Sequence, residues 1–220
     1  MAQKLLAHFG VSCFAYLAQV GGICAEVDLS CLHLIEESTI FCPDPVKEEE
    51  MKQKIAEVKQ SGDSLGGAIN FVALGLPTGL GDPVYEKLEA NLAKAMLSIP
   101  ATKGFEIGSG FSSVSMQGSY HNDAFFCEEG KVTTKTNHAG GVLGGISTGM
   151  PLMGSVAFKP TSSIYAQQET LSLEKQPGVF HLPSGSKHDP CVAVRAVPVV
   201  QAMLSLVLAD ALLLNRCARL

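Results

Sequence analysis

Arginine is nearly absent from this sequence: residues 1–194 contain none, and the three present, Arg195, Arg216 and Arg219, sit near the C-terminus. Most of the chain therefore offers no planar, bidentate guanidinium for reading an anion. There is no basic run, and the formal charge is −5, which argues against nucleic acid as a partner. The seven cysteines form no CxxC pair and no zinc spacing; they fit buried thiols in a reducing cytoplasm. No fixed-period repeat, low-complexity tract or metal-ligand cluster is visible. No secretory signal is expected, because Met1–Leu6 leads into helix-like alternation with His8 rather than a continuous apolar core. One long apolar run exists, residues 196–214, about the length needed to cross a bilayer. Pro198, Gln201 and Asp210 interrupt it and no aromatic belt flanks it, so the expectation is a core helix, not a membrane span.

What is present suits a large core: 46% of residues are apolar. Residues 1–10 read as a helix and 11–20 as a strand. Asp44-Pro45 is a helix start, an N-cap followed by proline and then Glu48, Glu49 and Glu50, with Met51, Ile55 and Val58 on one face to about Gln60. Residues 67–76 form the next predicted strand, closed by Pro77-Thr78-Gly79. Asp82-Pro83 repeats the opening device for a helix with Leu88, Leu92 and Met96 as its buried stripe. Residues 102–119 read as loop, strand and short helix, 147–158 as a strand, and 172–183 as a mobile loop. Asp189-Pro190 uses the device a third time before the long C-terminal helix. Mixed elements of this kind predict an α+β layered fold.

Two neighbouring segments carry the chemistry. Asn137-His-Ala-Gly-Gly-Val-Leu-Gly-Gly-Ile-Ser-Thr-Gly149 holds five glycines, whose missing Cβ atoms let backbone N–H groups approach a ligand. Lys159-Pro-Thr-Ser-Ser-Ile164 then supplies a cation and hydroxyls to a phosphate. Together they suggest a flat ligand with a phosphate tail, such as a flavin nucleotide. Read alone, the glycines equally mark turns or close strand packing.

Further segments occur in a telling order: Phe41-Cys-Pro-Asp-Pro45, Gly62-Asp-Ser-Leu-Gly66, Gly104-Phe-Glu-Ile-Gly-Ser-Gly-Phe111 with Gly118-Ser-Tyr-His-Asn-Asp123, and His188-Asp-Pro-Cys191 running into Arg195-Ala-Val-Pro198. From about Met1 to Leu214 the chain resembles the chorismate synthase family. The resemblance implies a β-α-β sandwich, a homotetramer, a cytoplasmic location and a place in the shikimate pathway of aromatic amino acid biosynthesis. It implies a lyase that converts 5-enolpyruvylshikimate 3-phosphate to chorismate and phosphate by 1,4-anti elimination on reduced FMN, with NADPH behind the flavin.

Carried over by position, the resemblance implies flavin contacts at Pro100, Ala101, Gly144, Lys159, Thr161, Ser162, Ser163 and Lys187, and a catalytic role for Asp189 in proton transfer at the flavin. Pro100 replaces the usual asparagine, so only its backbone can serve there. Lys187 replaces an arginine, keeping the charge but losing the bidentate fork. Structural alternatives stand beside these roles: Asp189 as a helix N-cap and Lys159 as a solvated strand end. His138 and His188 suit acid–base work near neutral pH but match no histidine to which the family's catalysis is assigned, and His121 reads as a loop residue. Asp123 and Ser119 are expected to fix a turn or a subunit contact by local hydrogen bonds.

The family's N-terminal portion, with its Gly-Glu-Ser-His-Gly motif, second catalytic histidine and arginine-rich segment, is not matched here, and residues 1–10 resemble the second half of a family helix. The expectation is one domain over residues 1–220, incomplete at its N-terminus, which keeps much of the flavin pocket and alone turns over little substrate. The alternative is a non-catalytic flavin-binding or assembly fragment.

Overall fold

The computed structural model describes residues 1–128, 130–183 and 185–218. It is an α+β structure. Helix α1 (Ala2–His8) leads to β1 (Ser12–Val20), which turns at Gly21-Gly22 into the short β2 (Ile23–Cys24). That turn has φ of 53° and 91°, the paired left-handed geometry of a two-residue hairpin, with Val20 opposite Ile23. A 3₁₀ turn at Leu29–Ile35 follows, capped by the Asp28 carboxylate, which accepts the Ser30 N–H at 2.8 Å.

Helix α2 (Pro45–Gln60) begins as its sequence requires. The Asp44 carboxylate accepts the N–H groups of Val46 and Lys47 at 3.1 Å each, and Pro45 occupies the first turn, where no N–H is missed. Strand β3 (Gly67–Leu74) and helix α3 (Leu88–Leu97) come next, then β4 (Thr102–Ile107), a 3₁₀ turn at Gly110–Ser115 and the single-turn α4 (Gly118–His121). Three hairpins complete the strands around β9 (Leu152–Phe158): β5 (Phe125–Glu128) with β6 (Lys131–Thr134), β7 (Val142–Leu143) with β8 (Ile146–Ser147), and β10 (Gln168–Leu171) with β11 (Pro177–Phe180). Helix α5 (Val192–Cys217) is the last element among the described residues. The largest sheet has five strands in the order β2-β1-β3-β9-β4.

The chain divides into two compact units. One comprises Met1–Tyr16, Ile69–Ala157 and Val197–Leu220; the other comprises Leu17–Ala68 and Phe158–Ala196. The first unit buries Phe71, Leu88, Leu92, Met96, Leu152, Leu204 and Leu208 almost completely. Each such side chain contributes roughly 1.5–3 kcal/mol by leaving water. The Phe71 ring stacks on Phe105 at 6.0 Å, and the Gln201 amide donates to the Cys13 carbonyl at 2.7 Å, tying α5 to β1. The second unit is centred on Leu17, Val20, Leu32, Met51, Phe158 and Cys191, all buried.

Three expectations change. Asp82-Pro83 does not start α3, which begins at Leu88 without a side-chain cap. Residues 82–87 instead form a loop, closed by the Asp82 N–H on the Glu86 carbonyl and by the Leu88 N–H on the Gly145 carbonyl at 2.8 Å. Tertiary pairing there outcompetes the local Asp-Pro signal. Residues 172–183 are not a plain loop: all of β11 lies there, joined to β10 by a turn in which Lys175 has φ of 62°. The predicted strand over 147–158 is split, because Thr148–Pro151 turns the chain between β8 and β9. Helix α5 is long and apolar enough to cross a membrane, yet it packs Val197, Val200, Leu204, Leu208 and Leu212 into the core, as a core helix does, and leaves Val199, Leu206, Leu213 and Leu214 exposed. The thiols also divide: Cys13, Cys42 and Cys191 are buried, and burial pushes each of them up; Cys24, Cys127 and Cys217 are exposed.

Candidate functional site

The glycine-rich segment folds as the β7–β8 hairpin. Leu143 faces Ile146, so Gly144 and Gly145 form a two-residue turn with φ of 61° and 93°, a conformation that glycine adopts without strain. The glycines are not equivalent. A Cβ at Gly140 would sit 2.3 Å from the Gly108 nitrogen, one at Gly141 2.5 Å from the Pro151 carbonyl oxygen, and one at Gly145 2.6 Å from the Asp82 carbonyl oxygen. At Gly144 nothing lies within 4 Å. Three glycines thus serve close backbone packing, and Gly144 presents bare backbone to open space.

The hairpin is held at both ends. Ser147, 1% exposed, donates from Oγ to the Pro77 carbonyl at 2.6 Å and accepts the Leu80 N–H at 2.9 Å. Asn137 donates to the Pro151 carbonyl and accepts the Gly141 N–H, both at 2.8 Å. The Asp123 carboxylate accepts the Thr136 hydroxyl at 2.7 Å and the amides of His138 and Ala139 at 2.8 and 2.9 Å. Burial pushes the Asp123 carboxyl up, but these hydrogen bonds and the neighbouring His138 outweigh it and hold the group below the usual carboxylate range. Asp123 therefore bonds a segment 13 to 16 residues further along the chain, where its sequence context suggests only local bonds. His138 places Nδ1 3.2 Å from the His121 carbonyl oxygen and 3.7 Å from Asp123 Oδ1, and its ring packs near those of Tyr120 and His121.

Pro100 and Ala101 lie in the same unit, in the middle of a turn closed by the Thr102 N–H on the Ile99 carbonyl at 3.3 Å. Ala101 has φ of 71°, a left-handed value that costs an L residue with a Cβ roughly 1–2 kcal/mol. Such strain is a pointer to function when, as here, it falls at a position singled out independently.

The remaining candidates belong to the second unit. Lys159–Ser163 leaves the end of β9 with its backbone pinned: the Thr161 carbonyl accepts Ser64 Oγ at 2.7 Å and the Ser162 carbonyl accepts the Gln168 amide at 3.3 Å. The side chains of Ser162 and Ser163 are exposed and make no protein hydrogen bond among the described residues. Among the described residues, Lys159 reaches only the neighbouring Pro160 carbonyl, at 3.1 Å. Thr161 donates its hydroxyl to the Asp189 carbonyl at 2.8 Å, joining this segment to the Lys187–Asp189 segment.

Beside that junction is an open cavity of about 570 Å³, bounded by Lys59, Tyr165, Lys187, His188, Asp189 and Arg195. Three cations against one carboxylate make it electropositive. Asp189 Oδ1 accepts the Cys191 N–H at 3.1 Å, so the carboxylate does meet the amides ahead of α5, though the helix itself starts only at Val192. Its Oδ2 lies 3.6 Å from Arg195 Nη1, too far for a hydrogen bond, and is a buried atom without a hydrogen-bond partner among the described residues. Both ring nitrogens of His188 are in the same condition. Buried polar atoms left unpaired are costly, and a ligand in the cavity is one way to satisfy them. Lys59 and Tyr165 were not legible as cavity residues, since Lys59 stands in the last turn of α2, far away in sequence. Arg195 carried a signal in its motif and its rarity.

The chorismate synthase family model matches residues 1–213. A chorismate synthase of Protochlamydia amoebophila is 50% identical over 228 residues, covering 100% of this chain and 62% of that relative. One from Methanosarcina mazei is 44% identical over 216 residues, covering 97% of this chain and 59% of its own length. A crystal structure of chorismate synthase superposes with a TM-score of 0.81 at 33% identity, covering 97% of this chain and 60% of that one. The chain spans about three-fifths of the length of the curated relatives it matches.

Proposed function

The chain belongs to the chorismate synthase family, and on that premise we propose that it serves the family's reaction, the loss of phosphate and a ring proton from 5-enolpyruvylshikimate 3-phosphate to give chorismate. The observation that carries this reading is the bare backbone of Gly144, in a chain whose residues 1–213 match the family. Reduced FMN, when bound, supplies transient electron density to an elimination that is redox-neutral overall.

Each unit holds residues whose chemistry suits a flavin nucleotide. On the first, Gly144 admits a flat ring against its α-carbon, and the strained Pro100-Ala101 turn offers backbone groups. On the second, Lys159 contributes charge, and Ser162 and Ser163 contribute free hydroxyl donors suited to a phosphate. Thr161 holds that segment to Asp189. Lys187 keeps a cation beside Asp189, and on this reading Asp189 Oδ2, buried, without a hydrogen-bond partner among the described residues and 3.6 Å from Arg195 Nη1, takes up and returns a proton. The electropositive cavity suits an anionic substrate.

We also propose that residues 1–220 act as one domain, that the protein works in the cytoplasm as a homotetramer with NADPH-derived electrons, and that no membrane or nucleic acid is involved. The unpaired thiols and the exposed apolar row Val199, Leu206 and Leu213 on α5 support a reducing compartment and an assembly.

The test is an anaerobic assay of this chain with 5-enolpyruvylshikimate 3-phosphate and chemically reduced FMN, reading both chorismate and phosphate. Low but measurable turnover that is lost in Asp189→Asn supports the reading. Flavin binding with no chorismate formed would overturn it in favour of a binding or assembly role.

A further inference from the structure

We propose that Asp123 is the positioning residue of the glycine hairpin, fixing through the amides of His138 and Ala139 the place where Gly144 presents its backbone. The ligand side of this inference rests on the reading that Gly144 lies against the flavin. Asp123 has a side chain only 4% exposed, yet its surroundings in the chain are open: all four residues of β5 are exposed, and so are residues 117–120. Support of a buried core is therefore not what holds this carboxylate in.

What it touches is the root of the hairpin. Its oxygens accept Thr136 Oγ1 and the successive amides of His138 and Ala139. The His138 carbonyl then accepts the Ser109 N–H at 2.7 Å, and the Gly140 carbonyl accepts the Met153 N–H at 3.1 Å. Backbone contacts at Gly108, Gly140 and Gly141 are so close that a methyl group would not fit. A root packed without slack transmits displacement to the tip instead of absorbing it. Four residues separate Ala139 from Gly144, and two of them are the strand β7. Negative charge also suits the role, because a carboxylate accepts several N–H and O–H groups at once where a neutral side chain cannot.

The experiment compares wild type with Asp123→Ala, Asp123→Asn and Thr136→Val, measuring FMN affinity by fluorescence, thermal melting, and amide hydrogen exchange over residues 138–145 without ligand. Asp123→Ala is expected to weaken FMN binding about tenfold or more, and Thr136→Val, which spares both amides, to stay within about twofold. Exchange should rise locally in Asp123→Ala while most of the melting temperature is kept. Asp123→Asn keeps an acceptor for His138 but sets an NH₂ group against the Ala139 amide, so it should fall between, and it decides the matter if the alanine variant fails to fold. Unchanged FMN affinity in both Asp123 variants, or unchanged exchange over 138–145, overturns the proposal. If wild type binds no FMN, the flavin reading fails separately, and the exchange data alone support or overturn control of the hairpin by Asp123.

Discussion

Gly141→Ala and Gly144→Ala place the same methyl group on the same hairpin, and the structure predicts opposite consequences. Both glycines have left-handed φ, 80° and 61°, so each substitution incurs about 1–2 kcal/mol of backbone strain, partly offset by the smaller entropy of the unfolded alanine chain, about 0.4–1 kcal/mol. At Gly144 nothing further is added, since no atom lies within 4 Å. At Gly141 the new Cβ would stand 2.5 Å from the Pro151 carbonyl oxygen and 3.0 Å from the Leu152 Cα. Both are backbone atoms at the entrance to β9, so relief requires moving the strand, with an overpacking cost of about 1–3 kcal/mol. The net loss is then about 1 kcal/mol for Gly144→Ala and about 2–4 kcal/mol for Gly141→Ala. At ~2–4 °C per kcal/mol for a chain of this size, Gly144→Ala should lower the melting temperature by about 2–4 °C and Gly141→Ala by about 4–16 °C. Flavin affinity should rank the other way at a temperature where both variants are folded, because only the Gly144 methyl intrudes on the open side. Calorimetry paired with fluorescence titration reads both quantities. A Gly144→Ala variant that melts below Gly141→Ala would refute the packing argument, and one that binds FMN like wild type would refute the contact.

Three other outcomes are expected. Ser147→Ala removes both the donor to Pro77 and the acceptor for Leu80 at a buried site, and chemical denaturation should show a loss of about 2–3 kcal/mol. Ala101→Gly relieves the left-handed strain at φ 71°, so the variant should be unchanged or up to about 1 kcal/mol more stable by thermal melting; a clear loss would show that the methyl group packs. Folding depresses the Asp123 carboxyl, so its stabilisation is fully present above the unfolded carboxylate value of about 3.9 and fades as pH falls through the lower folded value. The stability difference between wild type and Asp123→Asn should therefore shrink in acid, and a difference that grows there would contradict the assignment.

Local chemistry was readable where one residue decides the outcome. Asp44-Pro45 starts α2 because a carboxylate cap and a fixed proline φ act within a single turn, without help from elsewhere. Leu88, Leu92 and Met96 are buried as their spacing says, since a helix that shows one face to the core must place its apolar residues there. The family motifs, read in order, identified the relatives and the α+β class before any coordinate. Position in space was not legible, because nothing in a linear pattern records which distant backbone will arrive. Asp82-Pro83 carries the same signal as Asp44-Pro45, yet the Gly145 carbonyl captures the Leu88 amide and the helix starts later. The family resemblance singles out Gly144 within its run, but only neighbouring backbone separates three packing positions from it. Lys59 and Tyr165 reach the cavity at Asp189 only because α2 and the segment after β9 end there. By itself the sequence determined the family, the caps and the buried stripes, which depend on short-range geometry. The tertiary structure alone decided which glycine stands open and which carboxylate oxygen is left unpaired, because those properties belong to atoms that are far apart in the chain.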